Sequence, residues 1–147
     1  MSEVDLARRS VDRAGFVRFV VIKRILKRNT EDQTFVRMFM DEARINAELQ
    51  HENIAQVYDF GERQGEWYLA MEYVPGIDLR RLQRAVSKQK EGGALLPPRV
   101  IFRILHDVLS ALQYAHNRVD TFGRPMRIVH RDVNPRNIMV SVRGEVK

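Results

Sequence analysis

The sequence predicts an α+β protein in which strands and one helix come first and a mainly helical half follows. Three observations carry that prediction. Residues 16–26 and 54–74 are rich in β-branched and aromatic side chains, the composition of half-buried strands. Residues 33–49 and 99–116 repeat their apolar side chains at three- and four-residue steps, which marks one face of a helix. A polar stretch, Ser87-Lys88-Gln89-Lys90-Glu91-Gly92-Gly93, is the only composition shift that reads as a linker.

The elements follow in order. Glu3 to Arg9 alternates weakly, with Val4 and Leu6 on one side, and Arg13-Ala14-Gly15 suggests a turn. Phe16 to Leu26 reads as a strand. Asn29-Thr30 can open a helix, with Glu31 and Asp32 near its positive end. That helix runs from about Gln33 to Leu49, with Phe35, Met38, Phe39, Ile45 and Leu49 as its apolar members. Ile54 to Phe60 and Trp67 to Val74 read as strands joined by a hairpin-like loop at Glu62-Arg63-Gln64-Gly65, and Pro75-Gly76 closes the second. Asp78 to Val86 is a short helix. Arg99 to His116 is a longer one, striped by Ile101, Leu105, Val108, Leu112 and Ala115, with Pro98 suited to its first position. Thr121 to Pro125 is a loop, and Ile128 to Asp132 reads as a strand end running into polar residues. Asn137 to Val142 and Glu145 to Lys147 are short strands flanking a turn at Arg143-Gly144.

Composition limits the function classes. The 147 residues suit one domain or slightly more, and 44% hydrophobic with 30% charged residues excludes collagen-like and disordered chains. No run approaches 18 apolar residues, so no membrane segment is expected, and the acids Glu3 and Asp5 argue against a secretory signal. The absence of cysteine excludes disulfides, thiolate zinc sites and a cysteine nucleophile, and fits a reducing cytoplasm. The net charge is +6, from 25 Lys and Arg against 19 Asp and Glu. Its densest groups, Lys23-Arg24 with Lys27-Arg28 and Arg80-Arg81 with Arg84, have the spacing of solvated faces rather than of a nucleic-acid site.

Three places break the apolar pattern. Lys23 lies two residues from Val21 and so points to the same face of its strand. If that face is covered, its ammonium needs an anionic partner. Glu42 falls among the apolar members of its helix and needs a cationic one. Taken singly, Lys23 reads more readily as a snorkelling surface lysine and Glu42 as a helix-flank acid. The third place is His130-Arg131-Asp132-Val133-Asn134-Pro135-Arg136-Asn137. An acid and an amide five residues apart in one loop can converge on a point, the acid to accept a hydroxyl proton and the amide to offer a neutral oxygen to Mg2+. A plain Asn-Pro turn is the weaker account.

In this order, the residues resemble the eukaryotic-type protein kinase family in its bacterial serine/threonine branch. Val20-Val21-Ile22-Lys23 resembles the family's V-A-I-K strand. Glu42 stands where the regulatory helix carries the paired glutamate. Met71-Glu72-Tyr73-Val74 resembles the hinge, with Met71 as gatekeeper, and His130-Arg131-Asp132 with Asn137 fits H-R-D-x-x-x-x-N. The resemblance implies a protein-kinase-like fold and transfer of the ATP γ-phosphoryl group to a protein Ser or Thr hydroxyl, with Mg2+. It implies that Lys23, oriented by Glu42, holds the α- and β-phosphates. Backbone groups of Glu72 and Val74 bond adenine, and Val4, Val21 and Met139 enclose it. Asp132 takes the hydroxyl proton, Asn137 holds a Mg2+, Arg131 faces an activation segment, and His130 braces the loop from within. His51-Glu52-Asn53-Ile54 resembles a structural turn after the regulatory helix. No nucleic acid partner is implied, and a cytoplasmic setting is expected.

There are departures. The family's glycine-rich loop would precede Val4, with Ser2 where its third glycine falls, and Gly144-Glu145-Val146-Lys147 resembles the strand just before D-F-G. Residues 1–74 are therefore expected to form a small lobe and hinge lacking the first glycine-loop strand. Residues 75–147 are expected to start a large lobe and end before D-F-G. Asn134 stands where serine/threonine kinases usually carry a lysine, Val21 replaces a smaller alanine, and residues between His116 and Ile128 look like an extra surface loop. The alternative is a non-catalytic, pseudokinase-like scaffold or inactive remnant. An apolar stripe on the 99–116 helix left open to water predicts self-association.

Overall fold

The computed structural model describes residues 2–10, 17–25, 33–88 and 95–147. The turn at residues 13–15, the ends of the expected strand at Phe16 and Leu26, the helix opening at 29–32 and most of the polar stretch at 89–93 lie outside them. The chain divides into two compact units: Met1–Gln50 with Ala55–Tyr73, and His51–Ile54 with Val74–Lys147.

The first unit is a four-stranded antiparallel sheet with one helix. Its strands are β1 (Ser2–Ser10), β2 (Val17–Ile25), β3 (Val57–Arg63) and β4 (Glu66–Glu72), in the order β1-β2-β4-β3, and its helix is α1 (Gln33–Glu48). Pairing sets Val4 opposite Lys23, Leu6 opposite Val21, Val21 opposite Met71 and Lys23 opposite Leu69. Because side chains alternate, these residues share one face. The core joins Ile25 and Leu69 of the sheet to Phe39 and Ala43 of α1, with Phe35, Val36, Val57, Trp67 and Met71 packed around them.

The buried stripe of α1 differs from the expected one. Phe39 and Leu49 are buried, but Met38 and Ile45 are exposed, and the fully buried residue is Ala43. The contact follows the four-residue step 35-39-43, and a small residue there lets the helix approach the sheet closely. The β3–β4 loop is two residues, not four. Gln64 and Gly65 both take positive φ, 55° and 77°, the type I′ geometry that matches strand twist. Each strand therefore extends inward past the expected loop, and the turn at 51–54 takes Ile54 into the other unit.

The second unit holds β5 (Gly76–Asp78), α2 (Leu79–Lys88), α3 (Pro98–His116) and β6 (Met139–Ser141). Its core is Leu79, Ile104 and Val146, lined by Leu82, Leu96, Val100, Val108, Ile138 and Val140. Pro98 opens α3 as expected. The expected stripe on α3 holds in part: Ala115 is buried and Val108 packs against the core, but Ile101 and Leu105 are exposed, and Ile104 and Asp107 are buried instead. A buried aspartate inside the stripe hid it from a count of apolar side chains. Residues 128–132 form no strand. β5 is a strand the sequence does not announce, because its partner β6 lies about sixty residues away. Residues 145–147 return along β6: the Met139 N–H donates to the Lys147 carbonyl at 2.8 Å and the Lys147 N–H donates back at 2.9 Å. Gly76 is obligatory at the β5–β6 crossing, since a Cβ there would lie 2.0 Å from the Val140 carbonyl oxygen. Among the described residues no helix is long and apolar enough to cross a membrane.

Candidate functional site

Two polar arrangements stand out, one in each unit. In the first, Lys23 of β2 donates from Nζ to Glu42 Oε1 of α1 at 2.7 Å. The lysine side chain is 25% exposed and the carboxylate 48%. Lys23 is therefore half-covered, as its place beside Val21 implies, whereas Glu42 sits on the helix flank rather than its apolar side. Lys23 Nζ also lies 5.8 Å from the Phe39 ring centroid, a weak cation–π contact. An ion pair this exposed contributes no more than about 1 kcal/mol to folding. It does fix where the ammonium points.

The apolar residues expected around a ligand are divided. Val4, Val21 and Met71 share the Lys23 face by register, with Val4 largely exposed and the other two half-buried. The Glu72 N–H donates to the Gln56 carbonyl at 2.8 Å, and Glu72 Oε2 accepts from the Gln56 N–H at 3.1 Å. Val74 is buried and belongs, with the half-buried Met139, to the second unit.

In the second unit, the 130–137 loop converges on Asp132. Asn134 Nδ2 donates to Asp132 Oδ1 at 2.8 Å, and Asn137 Nδ2 donates to Asp132 Oδ2 at 2.8 Å and to the Asp132 carbonyl at 3.0 Å. Asn134 Oδ1 in turn accepts the Arg136 N–H at 2.9 Å. Both carboxylate oxygens are thus aimed by amides. His130 is exposed, not internal; it braces the loop by accepting the Asp132 N–H on Nδ1 at 3.3 Å. Arg131 is exposed with φ of 62°, a left-handed conformation that costs a non-glycine residue about 1 kcal/mol or more.

The loop is anchored by a helix end. The first N–H groups of a helix have no partner within it. In α2, Leu79 N–H donates to the Ile138 carbonyl at 2.8 Å and Arg80 N–H to the Pro135 carbonyl at 3.0 Å. Arg81 N–H donates to the capping carboxylate of Asp78 at 2.9 Å. The polar loop and the helix start satisfy each other. Sequence reasoning missed Asp78 as a support; an aspartate three residues before Arg81 at a helix opening was the available signal. Asn53 is a second support, its Nδ2 donating to the Val146 carbonyl at 2.9 Å. His51 accepts the Asn53 N–H on Nδ1 at 3.0 Å and meets Ser110 of α3 at 3.3 Å through Nε2.

The donor set suits a hard cation only in part. Among the described residues no three His, Asp or Glu side chains gather as a metal cluster. Asn137 uses its amide nitrogen on Asp132, which leaves its oxygen as the end able to face a cation. One such oxygen fits Mg2+, which keeps waters and takes further ligands from phosphates. The arrangement can orient an ammonium toward an anion and hold a carboxylate ready for a proton.

The protein kinase domain family matches residues 9–147. The tyrosine-protein kinase MasK of Myxococcus xanthus is 38% identical over 147 residues, covering 100% of this chain and 22% of that protein. The serine/threonine-protein kinase PrkC of Bacillus subtilis is 33% identical over 130 residues, covering 88% of this chain and 18% of its own length. The crystal structure of the Mycobacterium tuberculosis PknI kinase domain superimposes with a TM-score of 0.70 at 32% identity, over 99% of this chain and 52% of that one. The chain thus spans about a fifth of these curated relatives and about half of the solved kinase domain.

Proposed function

This chain belongs to the protein kinase domain family, and from that premise we propose that it supplies part of an ATP- and Mg2+-dependent kinase acting on protein Ser or Thr hydroxyls in the cytoplasm. The observation that carries the reading is the 2.7 Å bond from Lys23 to Glu42, two residues 19 apart in sequence and on different elements. An ammonium held by one carboxylate is aimed and still able to bond phosphate oxygens.

Lys23 binds the α- and β-phosphates, with Glu42 fixing its direction. The apolar face of Val4, Val21 and Met71 offers surface to adenine. With its N–H engaged by Gln56, Glu72 contributes its carbonyl to adenine. Asp132 orients the substrate hydroxyl and accepts its proton as the oxygen bonds the γ-phosphorus and the bond to the ADP oxygen breaks. Asn134 and Asn137 hold the Asp132 carboxylate for that step. When bound at Asn137, Mg2+ supplies charge neutralisation for the phosphates. Arg131 faces an activation segment.

The test uses the intact enzyme that carries these residues, with labelled ATP, Mg2+ and a mixed protein substrate, followed by phosphoamino-acid analysis. Label on serine or threonine supports the reading. Label only on tyrosine supports a second one, favoured by the 38% identity to a kinase named for tyrosine. Nucleotide binding without transfer supports a non-catalytic scaffold. Self-association through the exposed Ile101, Phe102, Leu105 and Leu109 of α3 belongs to the same reading, and sedimentation of this chain against its concentration tests it.

A further inference from the structure

The loop from Asn117 to Arg127, noted in the sequence as extra and absorbed by no catalytic role, is ordered from within. Asp120 is its hub. Its Oδ1 accepts the Phe122 N–H at 2.8 Å and the Arg124 N–H at 3.0 Å, and its Oδ2 accepts Arg124 Nε at 2.8 Å. The Asp120 N–H donates to the Arg124 carbonyl at 2.9 Å and the Gly123 N–H to the Asp120 carbonyl at 3.0 Å. Below the tip, Val119 bridges Pro125 and the Met126 N–H donates to the Arg118 carbonyl at 2.9 Å. Gly123 takes φ of 76° at the turn. The Arg124 N–H, outweighing the cost of partial burial and aided by the Phe122 N–H and the Arg124 side chain, holds the Asp120 carboxyl below its usual range.

The product of this bonding is an exposed aromatic ring. Phe122 is 80% exposed, and the Arg124 guanidinium lies over it, 5.1 Å from the centroid. One exposed apolar side chain needs no explanation by itself. A phenyl ring fixed on a rigid loop, capped by arginine and absent from both core clusters, has the composition and the low ordering cost of an interaction anchor. Asp120 spends its carboxylate within the loop, on Arg124 Nε and on two backbone N–H groups, while Arg127 and most of the Arg124 side chain face water.

We propose that the 117–127 loop is a preorganised docking tip for an acidic peptide segment of a partner protein, seating an apolar or aromatic side chain on Phe122 and carboxylates on Arg124 and Arg127. A peptide fits this tip better than a lipid surface does, because the Phe122 ring, with the Arg124 guanidinium over it, leaves little apolar area to insert.

The test is direct binding, independent of catalysis: fluorescence anisotropy of the whole chain with a labelled random copolymer of glutamate and tyrosine at about 0.15 M ionic strength. Phe122→Ala is expected to weaken binding by about tenfold, as loss of an anchor does, with an unchanged melting temperature because the ring is exposed. Asp120→Ala separates docking from plain attraction. It makes the chain more positive, so unspecific electrostatics predicts equal or tighter binding, whereas loss of the ordered tip predicts weakening comparable to Phe122→Ala. Phe122→Ser, which leaves the Asp120 network intact, serves if Asp120→Ala fails to fold. The proposal is overturned if the copolymer does not bind, if Phe122→Ala and Phe122→Ser bind as the parent does, if a folded Asp120→Ala binds more tightly, or if anionic vesicles bind with the same dependence on Phe122.

Discussion

The Lys23–Glu42 pair and the Asp132 loop are both polar and both sit on well-packed elements, yet they are held in opposite ways. A single hydrogen bond joins Lys23 to Glu42, between a strand and a helix that pack through other residues, and much of the pair faces water. The Asp132 carboxylate is held by two amides, its loop by two backbone bonds from α2, and that helix start by Asp78. A contact that one small helix shift can break suits a group that must be both assembled and released. A contact fixed several times over suits a group whose geometry must not vary. Low cost of rupture and redundancy are thus distributed between the units.

The largest effect should come from the redundant side. In the intact enzyme, Asp132→Asn is expected to lower turnover by about 100- to 10,000-fold, with nucleotide affinity nearly unchanged, measured by steady-state phosphorylation and nucleotide titration. Equal turnover would remove the contrast. Next, Gly76→Ala should destabilise the second unit by about 3 kcal/mol in denaturant unfolding, because its Cβ meets the Val140 carbonyl and neither β-strand backbone can yield. Asn53→Ala should cost about 1 to 2 kcal/mol in the same measurement, since it leaves the Val146 carbonyl without its side-chain donor. Lys23→Met and Glu42→Gln should each change stability by less than about 1 kcal/mol while lowering activity. A stability loss as large as that of Gly76→Ala would mean that the pair is structural.

The smallest effect is an acid limb. Burial alone would raise the Asp107 carboxyl, but the Arg103 and His106 hydrogen bonds outweigh it and leave the carboxyl lowered from 3.8. A lowered folded value favours the folded state above the unfolded value. That contribution is lost as pH falls from about 4 through the lower folded value. Asp107→Asn should therefore flatten the stability profile below about pH 4, and a profile of unchanged slope would remove Asp107 from the acid transition.

Much of this was readable beforehand, and the reasons differ by residue. Lys23 and Glu42 were ambiguous taken singly, and Asp132 and Asn137 stood out as an acid and an amide five residues apart in one polar loop; it was the order of all four along the chain that resembled one family. The α1 and α3 boundaries were legible from periodicity. What failed were quantities set by neighbours distant in sequence. Ala43 and Ile104, not Met38 and Leu105, lie in the core, because the packing partner chooses the face. β5 was invisible because its pairing strand is remote.

The sequence by itself determined which residue types could do chemistry, where the long helices begin, and which family the ordered motifs resemble, since these rest on local propensity and spacing. Only the tertiary structure decided that Asn134 orients Asp132, that α2 anchors the loop through its first N–H groups, that Gly76 must stay bare, and that Phe122 stands out in water on an ordered tip. Each of those is a distance between groups that chain connectivity alone leaves free.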